Sequence, residues 1–192
     1  MQISIIVATD NNGGIGANNS LPWMCREDMI HFRKKTIGKP GIMGRATFES
    51  MKCQPLSERF NIVVTTQDGM FRSKHNYDNI VFVNSPKAAL QAAQYWYDIN
   101  RDDAGIEDVM VIGGSTIYEA FLPVVETAYV TTIHKEFHCD TNIRKLLRNI
   151  QSQFDMQTVK TYNDVVNCCQ VTFARGSREL PADVRELIKL FK

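Results

Sequence analysis

Asp28 is the side chain in this sequence whose type and setting most readily serve chemistry. It lies five residues after Trp23 of a Leu21-Pro22-Trp23 corner, within a stretch, residues 25–36, that reads as a helix. Pro22 fixes its own φ and biases Leu21 towards extended geometry, so the corner is rigid. Met29 and Phe32 share a face at i, i+3 spacing, and Asp28 neighbours Phe32 at i, i+4, which puts the acid at the border of the apolar face. A carboxylate so placed can hold a protonatable group by a charge-assisted pair. The plainer alternative is a negative charge near a helix N-terminus, favoured by the macrodipole. Glu27, Arg33 and Lys34 are free to solvate, and the Arg33-Lys34-Lys35 run reads as a solvated helix face.

Two glycine turns offer a different chemistry. Residues 41–44, GIMG, make a short strand and Arg45 to Met51 a short helix; Gly113-Gly114 stand directly between a strand at Asp108–Ile112 and a helix at Thr116–Phe121. A strand, a glycine turn and a helix whose first N–H groups point outward form a natural anion site. Thr65 and Thr66 add two hydroxyls at the end of a third strand, residues 60–66. Asp10 to Ser20, DNNGGIGANNS, is a polar, glycine-rich loop too long for a hairpin turn, and long loops in compact domains are usually functional.

The elements that must carry these residues alternate. Residues 2–9 are β-branched and nearly continuously apolar, as expected of a strand buried on both faces. Gly38 and Pro40 stop the first helix. Ile80–Val83 is a short strand, Ser85-Pro86 caps a helix running to about Tyr97, and residues 126–133 form a further strand. Residues 67–79 and 98–107 read as polar loops, and 134–152 carries only a weak pattern. Two alternating runs, 154–162 and 166–174, separated by Asn163-Asp164, predict an antiparallel hairpin. The result is an α/β fold: a mainly parallel twisted sheet with helices on both faces and an antiparallel C-terminal hairpin, plus an extra C-terminal helix. Ligands of such sheets sit beyond the carboxyl ends of the strands. The loop after residue 9, Gly44-Arg45, Thr65-Thr66 and Gly113-Gly114 all fall at that edge.

Bulk properties agree with one domain. The chain has 192 residues, 44% hydrophobic and 22% charged, with a formal net charge of +1, so charge makes no case for nucleic acid or an anionic membrane as partner. The N-terminus reads as a strand and not as a signal peptide, and no segment approaches a membrane span, which favours the cytoplasm. The cysteines are Cys25, Cys53, Cys139, Cys168 and Cys169: an odd number, no CxxC pair, and so neither a disulfide framework nor a metal site is expected.

The order IG-x(4)-LPW, an acid five residues after the tryptophan, then KPxIMGRxTFES and VIGGSTIYEAFLP, resembles dihydrofolate reductase of the bacterial, single-domain type. The resemblance covers about residues 3–141 strongly and extends more loosely to the terminal hairpin, with 1–176 as the domain and 177–192 as an amphipathic extension. It implies NADPH-dependent reduction of dihydrofolate to tetrahydrofolate, hydride going to C6 and a proton to N5, in support of one-carbon metabolism and thymidylate synthesis. Dihydrofolate is then the small-molecule substrate, antifolates are inhibitors, and a monomer is expected in preference to a dimer. Asp28 pairs with the 2-amino group and N3 of the pterin, backed by Thr131, with Trp23 beside the pterin through water. Ile6, Val7, Met29, Phe32, Met51, Leu56 and Ile112 line the folate pocket with Tyr118, and Arg59 binds the α-carboxylate of the glutamyl tail. The loop closes over nicotinamide, with Ala8, Ile15, Gly16, Asn19 and Ser20 at the cofactor. Gly44, Arg45, Ala46 and Thr47 hold pyrophosphate and 2′-phosphate, with Thr65 and Thr66 placed for that phosphate too. Gly113, Gly114, Ser115, Thr116, Ile117 and Tyr118 wrap the pyrophosphate and nicotinamide side, and the family has a cis peptide between the two glycines. Asp140-Thr141 matches the family's acid that hydrogen-bonds the mobile loop.

Physical reasoning runs the same way. Hydride transfer is a positioning task, and a carboxylate in an apolar wall favours the protonated ring, the proton being delivered by that carboxylate or by water. Partial burial should raise the Asp28 pKa. Ala46 stands where the family often has a basic or imidazole side chain, and Lys52-Cys53-Gln54 holds an apparent one-residue insertion. A sibling reductase acting on a riboflavin-precursor pyrimidine is the main alternative, disfavoured by Asp28 and Arg59. A binding protein without turnover is disfavoured by the intact set Asp28, Thr131, Trp23, Gly113 and Gly114. In residues 177–192, Leu180, Val184, Leu187, Ile188 and Phe191 fall on one helical face, read as a helix packed on its own domain, the alternative being a self-association or partner face.

Overall fold

The structure is a computed structural model that describes residues 1–67, 77–100, 108–162 and 167–175. Its strands are β1 (Gln2–Asp10), β2 (Gly14–Gly16), β3 (Pro40–Gly44), β4 (Phe60–Val64), β5 (Ile80–Val83), β6 (Asp108–Gly113), β7 (Thr127–Ile133), β8 (Thr141–Asn142), β9 (Phe154–Tyr162) and β10 (Cys168–Arg175). Its helices are α1 (Arg26–Thr36), α2 (Arg45–Ser50), α3 (Pro86–Ile99), α4 (Ser115–Phe121) and α5 (Arg144–Gln153), with a 3₁₀ turn at Leu122–Val124. The expected extra helix at 177–192 and the turn at Asn163-Asp164 lie outside the described residues.

Eight strands form one sheet in the order β5-β4-β3-β6-β1-β7-β10-β9. β5 through β7 are mutually parallel, and β10 runs antiparallel to both β7 and β9. The continuous apolar run of β1 is explained by its central place between β6 and β7. Successive side chains of a strand face opposite ways. Ile5 and Val7 therefore enter a large core with Leu90 of α3, Phe121 of α4, and Leu146 and Ile150 of α5, whereas Ile6 enters a second core with Met43, Phe48, Val63, Met110 and Ile112. Phe32 of α1 packs against that second core.

The local signals hold where they were strong. Ser85 caps α3 by accepting from the Ala88 N–H at 3.2 Å, with Pro86 opening the helix. Arg33, Lys34 and Lys35 occupy the last turn of α1, where cations suit the dipole. Arg33 pairs with Glu58, and the Lys35 ammonium sits 4.1 Å over the Tyr129 ring. The strand expected over 60–66 ends at Val64. In the weakly patterned 134–152 stretch the structure places β8 and α5. Helix α5 has no side-chain N-cap to announce it, although Leu146 and Ile150, four apart, are both buried. The loop at Asp10–Ser20 is also more ordered than its composition implies. β2 pairs antiparallel with β8, and Asn18 and Asn19 turn the chain with φ of 49° and 57°, the left-handed region that asparagine tolerates.

Candidate active site

Parallel pairing assembles the site. β3 and β6 are neighbours with Met43 opposite Gly113, so the glycine turns that follow them emerge side by side. The side chain of Thr47, in the first turn of α2, lies against both Gly113 and Gly114: a Cβ at either would meet its Oγ1 at 3.3 Å. A Cβ at Gly44 would meet Cγ1 of Ile117 at 3.0 Å. The Gly113-Gly114 peptide is cis, as the resemblance leads one to expect. Neither α2 nor α4 has a side chain capping its N-terminus, since Gly44 and Gly114 hold the cap positions. The Ile117 and Tyr118 amides turn back to the Gly114 carbonyl at 3.0 and 2.9 Å, so Ser115 and Thr116 open the helix.

Opposite these turns stands the acid. Thr131 of β7 is buried, paired in register with Ala8 of β1, and its hydroxyl hydrogen-bonds the Asp28 carboxylate. Burial raises the Asp28 pKa above the ordinary carboxylate value, and the hydroxyl of Thr131 pulls the other way. Tyr118 closes the space between the acid and the glycine turns. Its phenol donates to the Ile6 carbonyl at 2.8 Å and is held in its neutral form by burial first and by the charge of Asp28 second. Trp23 is buried against Phe137, ring centroids 5.3 Å apart, and its Nε1 is a buried donor with no partner. Behind it Cys25 and Cys168 touch, Sγ to Sγ 3.6 Å. Burial, with Cys25 next, pushes the Cys168 thiol up to about 12, so it is an inert wall and no nucleophile.

Of the residues expected to line the substrate pocket, Ile6, Ile112, Phe32, Met51 and Leu56 pack together in one cluster. Val7 is a correction. Strand alternation sends its side chain into the opposite core, so it can offer the site only backbone. Met29, also expected there, lies 62% exposed and outside that cluster. Arg59 is buried and held by its Nε–H to the Ser57 carbonyl at 2.8 Å and by Nη1 to Thr36 Oγ1 at 3.1 Å. Sequence reasoning missed what fixes this segment. Asn61 is fully buried, accepts from the Leu56 N–H at 2.9 Å, and donates to the carbonyls of Leu56 and Arg59, both at 3.0 Å. An asparagine in the middle of an apolar strand was the available signal.

Of the other residues expected at the cofactor, Arg45 makes an i, i+4 ion pair with Glu49 at 2.6 Å, and Ala46 is exposed. With its amide oriented to satisfy both neighbours, Asn19 donates to the Ala46 carbonyl at 3.0 Å and accepts from the Ser50 N–H at 3.3 Å, which ties the loop to α2. Ser20 is exposed, its Oγ donating to the Ala17 carbonyl at 3.0 Å. Gly16 accepts from the Asp140 N–H at 3.1 Å, and Ile15 packs on the large core. Thr65 is buried with its Oγ1 accepting from the Gln67 N–H at 3.1 Å, and Thr66 is exposed. Among the described residues no cluster of three or more potential ligands could hold a metal, and no helix is long and apolar enough to cross a membrane.

The dihydrofolate reductase family model matches residues 2–178. The chain belongs to the dihydrofolate reductase family. That membership makes it an oxidoreductase. It is 40% identical over 141 residues to the dihydrofolate reductase of Buchnera aphidicola subsp. Baizongia pistaciae, covering 73% of this chain and 76% of that one. It is 38% identical over 138 residues to the dihydrofolate reductase of Bacillus subtilis, covering 72% and 73%. Among solved structures, dihydrofolate reductase from Enterococcus faecalis complexed with NADP(H) and RAB-propyl superposes with a TM-score of 0.76 at 26% identity, covering 92% of this chain and 97% of that one.

Proposed function

We propose that the chain reduces 7,8-dihydrofolate to 5,6,7,8-tetrahydrofolate with NADPH, hydride passing to C6 and a proton to N5, and so supplies one-carbon metabolism and thymidylate synthesis. The observation that carries this reading is a half-buried carboxylate, Asp28, with a raised pKa, hydrogen-bonded by Thr131 and within electrostatic reach of Tyr118, whose hydroxyl lies against the Gly113 turn. NADPH suits the donor set. The edge offers two helix N-termini capped only by glycine, and a backbone that a Cβ would crowd. Gly44, Thr47, Gly113, Ser115 and Thr116 would hold its pyrophosphate, and Arg45, with Thr65 and Thr66, its 2′-phosphate; the bound cofactor supplies the hydride. Asp28 holds the pterin by its 2-amino group and N3 and favours the protonated ring. Trp23 Nε1, buried without a partner, is placed to bind a water beside that ring. Arg59 takes the α-carboxylate of the glutamyl tail as a planar fork. Antifolates that present a protonated diamino ring should compete at Asp28. We also place the chain in the cytoplasm, where its five free thiols stay reduced, and read it as a monomer.

The deciding assay follows NADPH absorbance with dihydrofolate, and in parallel with a ribosylated pyrimidine precursor of riboflavin. Turnover with the first alone is expected; turnover with the second alone would overturn the reading. Thr131→Val tests the support of the acid. Loss of a hydrogen bond to a charged group costs about 1.5–3 kcal/mol, so kcat/KM should fall about ten- to a hundredfold. Removing the hydroxyl that lowers the Asp28 pKa should move the alkaline limb of the pH–rate profile to higher pH. An unmoved limb would show that Thr131 does not act on the acid.

A further inference from the structure

Asp10, the last residue of β1, is a buried carboxylate that the reaction above leaves unused. It is 2% exposed. Its Oδ1 accepts from the backbone N–H of Asn12 at 2.8 Å and of Gly14 at 2.7 Å. Its Oδ2 accepts from the N–H of Phe137 at 3.0 Å and faces the thiol of Cys139, Sγ 3.9 Å away. Among the described residues no lysine, arginine or histidine forms an ion pair with it. Every group it faces is a donor. Two segments distant in sequence, the root of the Ile15–Trp23 loop and the 137–139 strip, therefore meet on one side chain.

The neighbouring bonds join the loop root to residues on either side of that strip. The Asn11 N–H donates to the Lys135 carbonyl at 3.2 Å and the Ile143 N–H to the Gly13 carbonyl at 2.8 Å. Arg144 Nε donates to the Asn12 carbonyl at 2.5 Å. Gly13 has φ +75°, and a Cβ on Gly14 would stand 2.5 Å from Cys139 Sγ and 3.1 Å from Asp10 Oδ1. The chain thus enters the loop along one path. Farther out, the Asn18 N–H donates to Asp140 Oδ2 at 2.7 Å, a second fastening of the same loop to the same strip. Burying a carboxylate without a counter-ion is costly, and here the cost is offset by two amides at the base of the loop and by the Phe137 amide and Cys139 thiol across from it. β1 itself is already paired along its length with β6 and β7.

We propose that Asp10 is a positioning residue: its carboxylate clasps the root of the active-site loop to the 137–139 strip and so seats Ile15 to Trp23 over the reacting rings. The inference rests on the reductase reading. An aspartate is required because four donors converge on two oxygens. An asparagine would turn its own N–H groups on either the loop side or the strip side, and that side would part.

The test uses the full chain with Asp10→Asn and, as a second variant that leaves the carboxylate in place, Gly14→Ala. Amide hydrogen exchange on the ligand-free proteins comes first. At Gly14 and at Phe137 it should accelerate at least tenfold in both variants, while amides of β1 and β6 keep their protection. Turnover comes next, corrected for the folded fraction by thermal melting. kcat should fall about ten- to a hundredfold, as a displaced reacting geometry requires, with KM for dihydrofolate changed less than about twofold. The deuterium isotope effect with NADPH labelled at the transferred hydrogen should rise. Asp10→Asn combined with Asp140→Asn should lose less than the product of the two single losses, because both act on one seating. Unchanged exchange at Gly14 and Phe137, or kcat per folded molecule equal to the parent in both variants, would overturn the clasp. A parent protein that fails to turn over dihydrofolate would instead sink the reductase reading, and the exchange experiment would still decide whether Asp10 holds the loop.

Discussion

Asp28→Asn should lower kcat/KM for dihydrofolate by about 10²- to 10⁴-fold at neutral pH, the range that a group governing protonation supplies, and should regain part of that loss in acid. The amide can still hydrogen-bond the 2-amino group but carries no charge to hold a cationic ring, so the variant depends on substrate that is already protonated in solution. Equal rates at neutral pH would remove Asp28 from the mechanism. The same substitution should act oppositely on stability. Burial raises the folded-state pKa of Asp28. A group shifted in that direction contributes stability that is fully present below its unfolded pKa and is lost as pH rises through the folded one. The parent therefore carries an unfavourable ionised Asp28 at neutral pH, and the neutral amide does not. Ligand-free Asp28→Asn should melt above the parent at pH 7, with the difference closing in acid below the unfolded pKa of an aspartate. A variant less active yet more stable is the signature of a group placed for function at the expense of the fold.

How much of this was legible beforehand depended on whether the signal was local. β1, α1 and α3 were readable because a burial pattern, a cap or a proline writes itself into neighbouring residues. The glycine turns were readable because only glycine lets a backbone follow a course that a Cβ would block. Asp28 alone was ambiguous, since an acid in the first turn of a helix is equally a dipole partner; order among several motifs resolved it. Three features had no local signature. The Asp10 clasp joins residues more than 120 apart in sequence. The β2–β8 ladder is made of Gly14–Gly16 and Thr141–Asn142, two very short segments in which glycine and asparagine, both poor strand formers, outnumber Ile15 and Thr141. The resemblance implies both Ile6 and Val7 at the pocket, yet adjacent strand residues cannot both face the same side, and alternation excludes one side chain of the pair.

Gly113→Ala tests the cofactor side as Asp28→Asn tests the substrate side. Gly113 has φ +135°, a region that side chains rarely adopt, so alanine there is strained whatever the space around it. The space is also filled. The new Cβ would lie 3.3 Å from Thr47 Oγ1, 3.4 Å from the Tyr118 hydroxyl and 3.6 Å from Thr47 Cγ2. Relief requires the Thr47 hydroxyl to give by a few tenths of an ångström, while the Tyr118 phenol, bonded to the Ile6 carbonyl at 2.8 Å, stands at close contact. That shift falls in the first turn of α2, beside the Gly44 turn. The strained backbone alone should cost about 1–3 kcal/mol of stability. On a chain of this size that appears as a drop of several degrees in Tm, roughly 2–4 °C per kcal/mol. NADPH affinity should weaken by more than the fold does, since the substitution disturbs both glycine turns at once. Dihydrofolate binding should change little, because the wall formed by Phe32, Met51 and Leu56 is untouched. Tight NADPH binding by a well-folded Gly113→Ala protein would mean that the cofactor does not run past this turn.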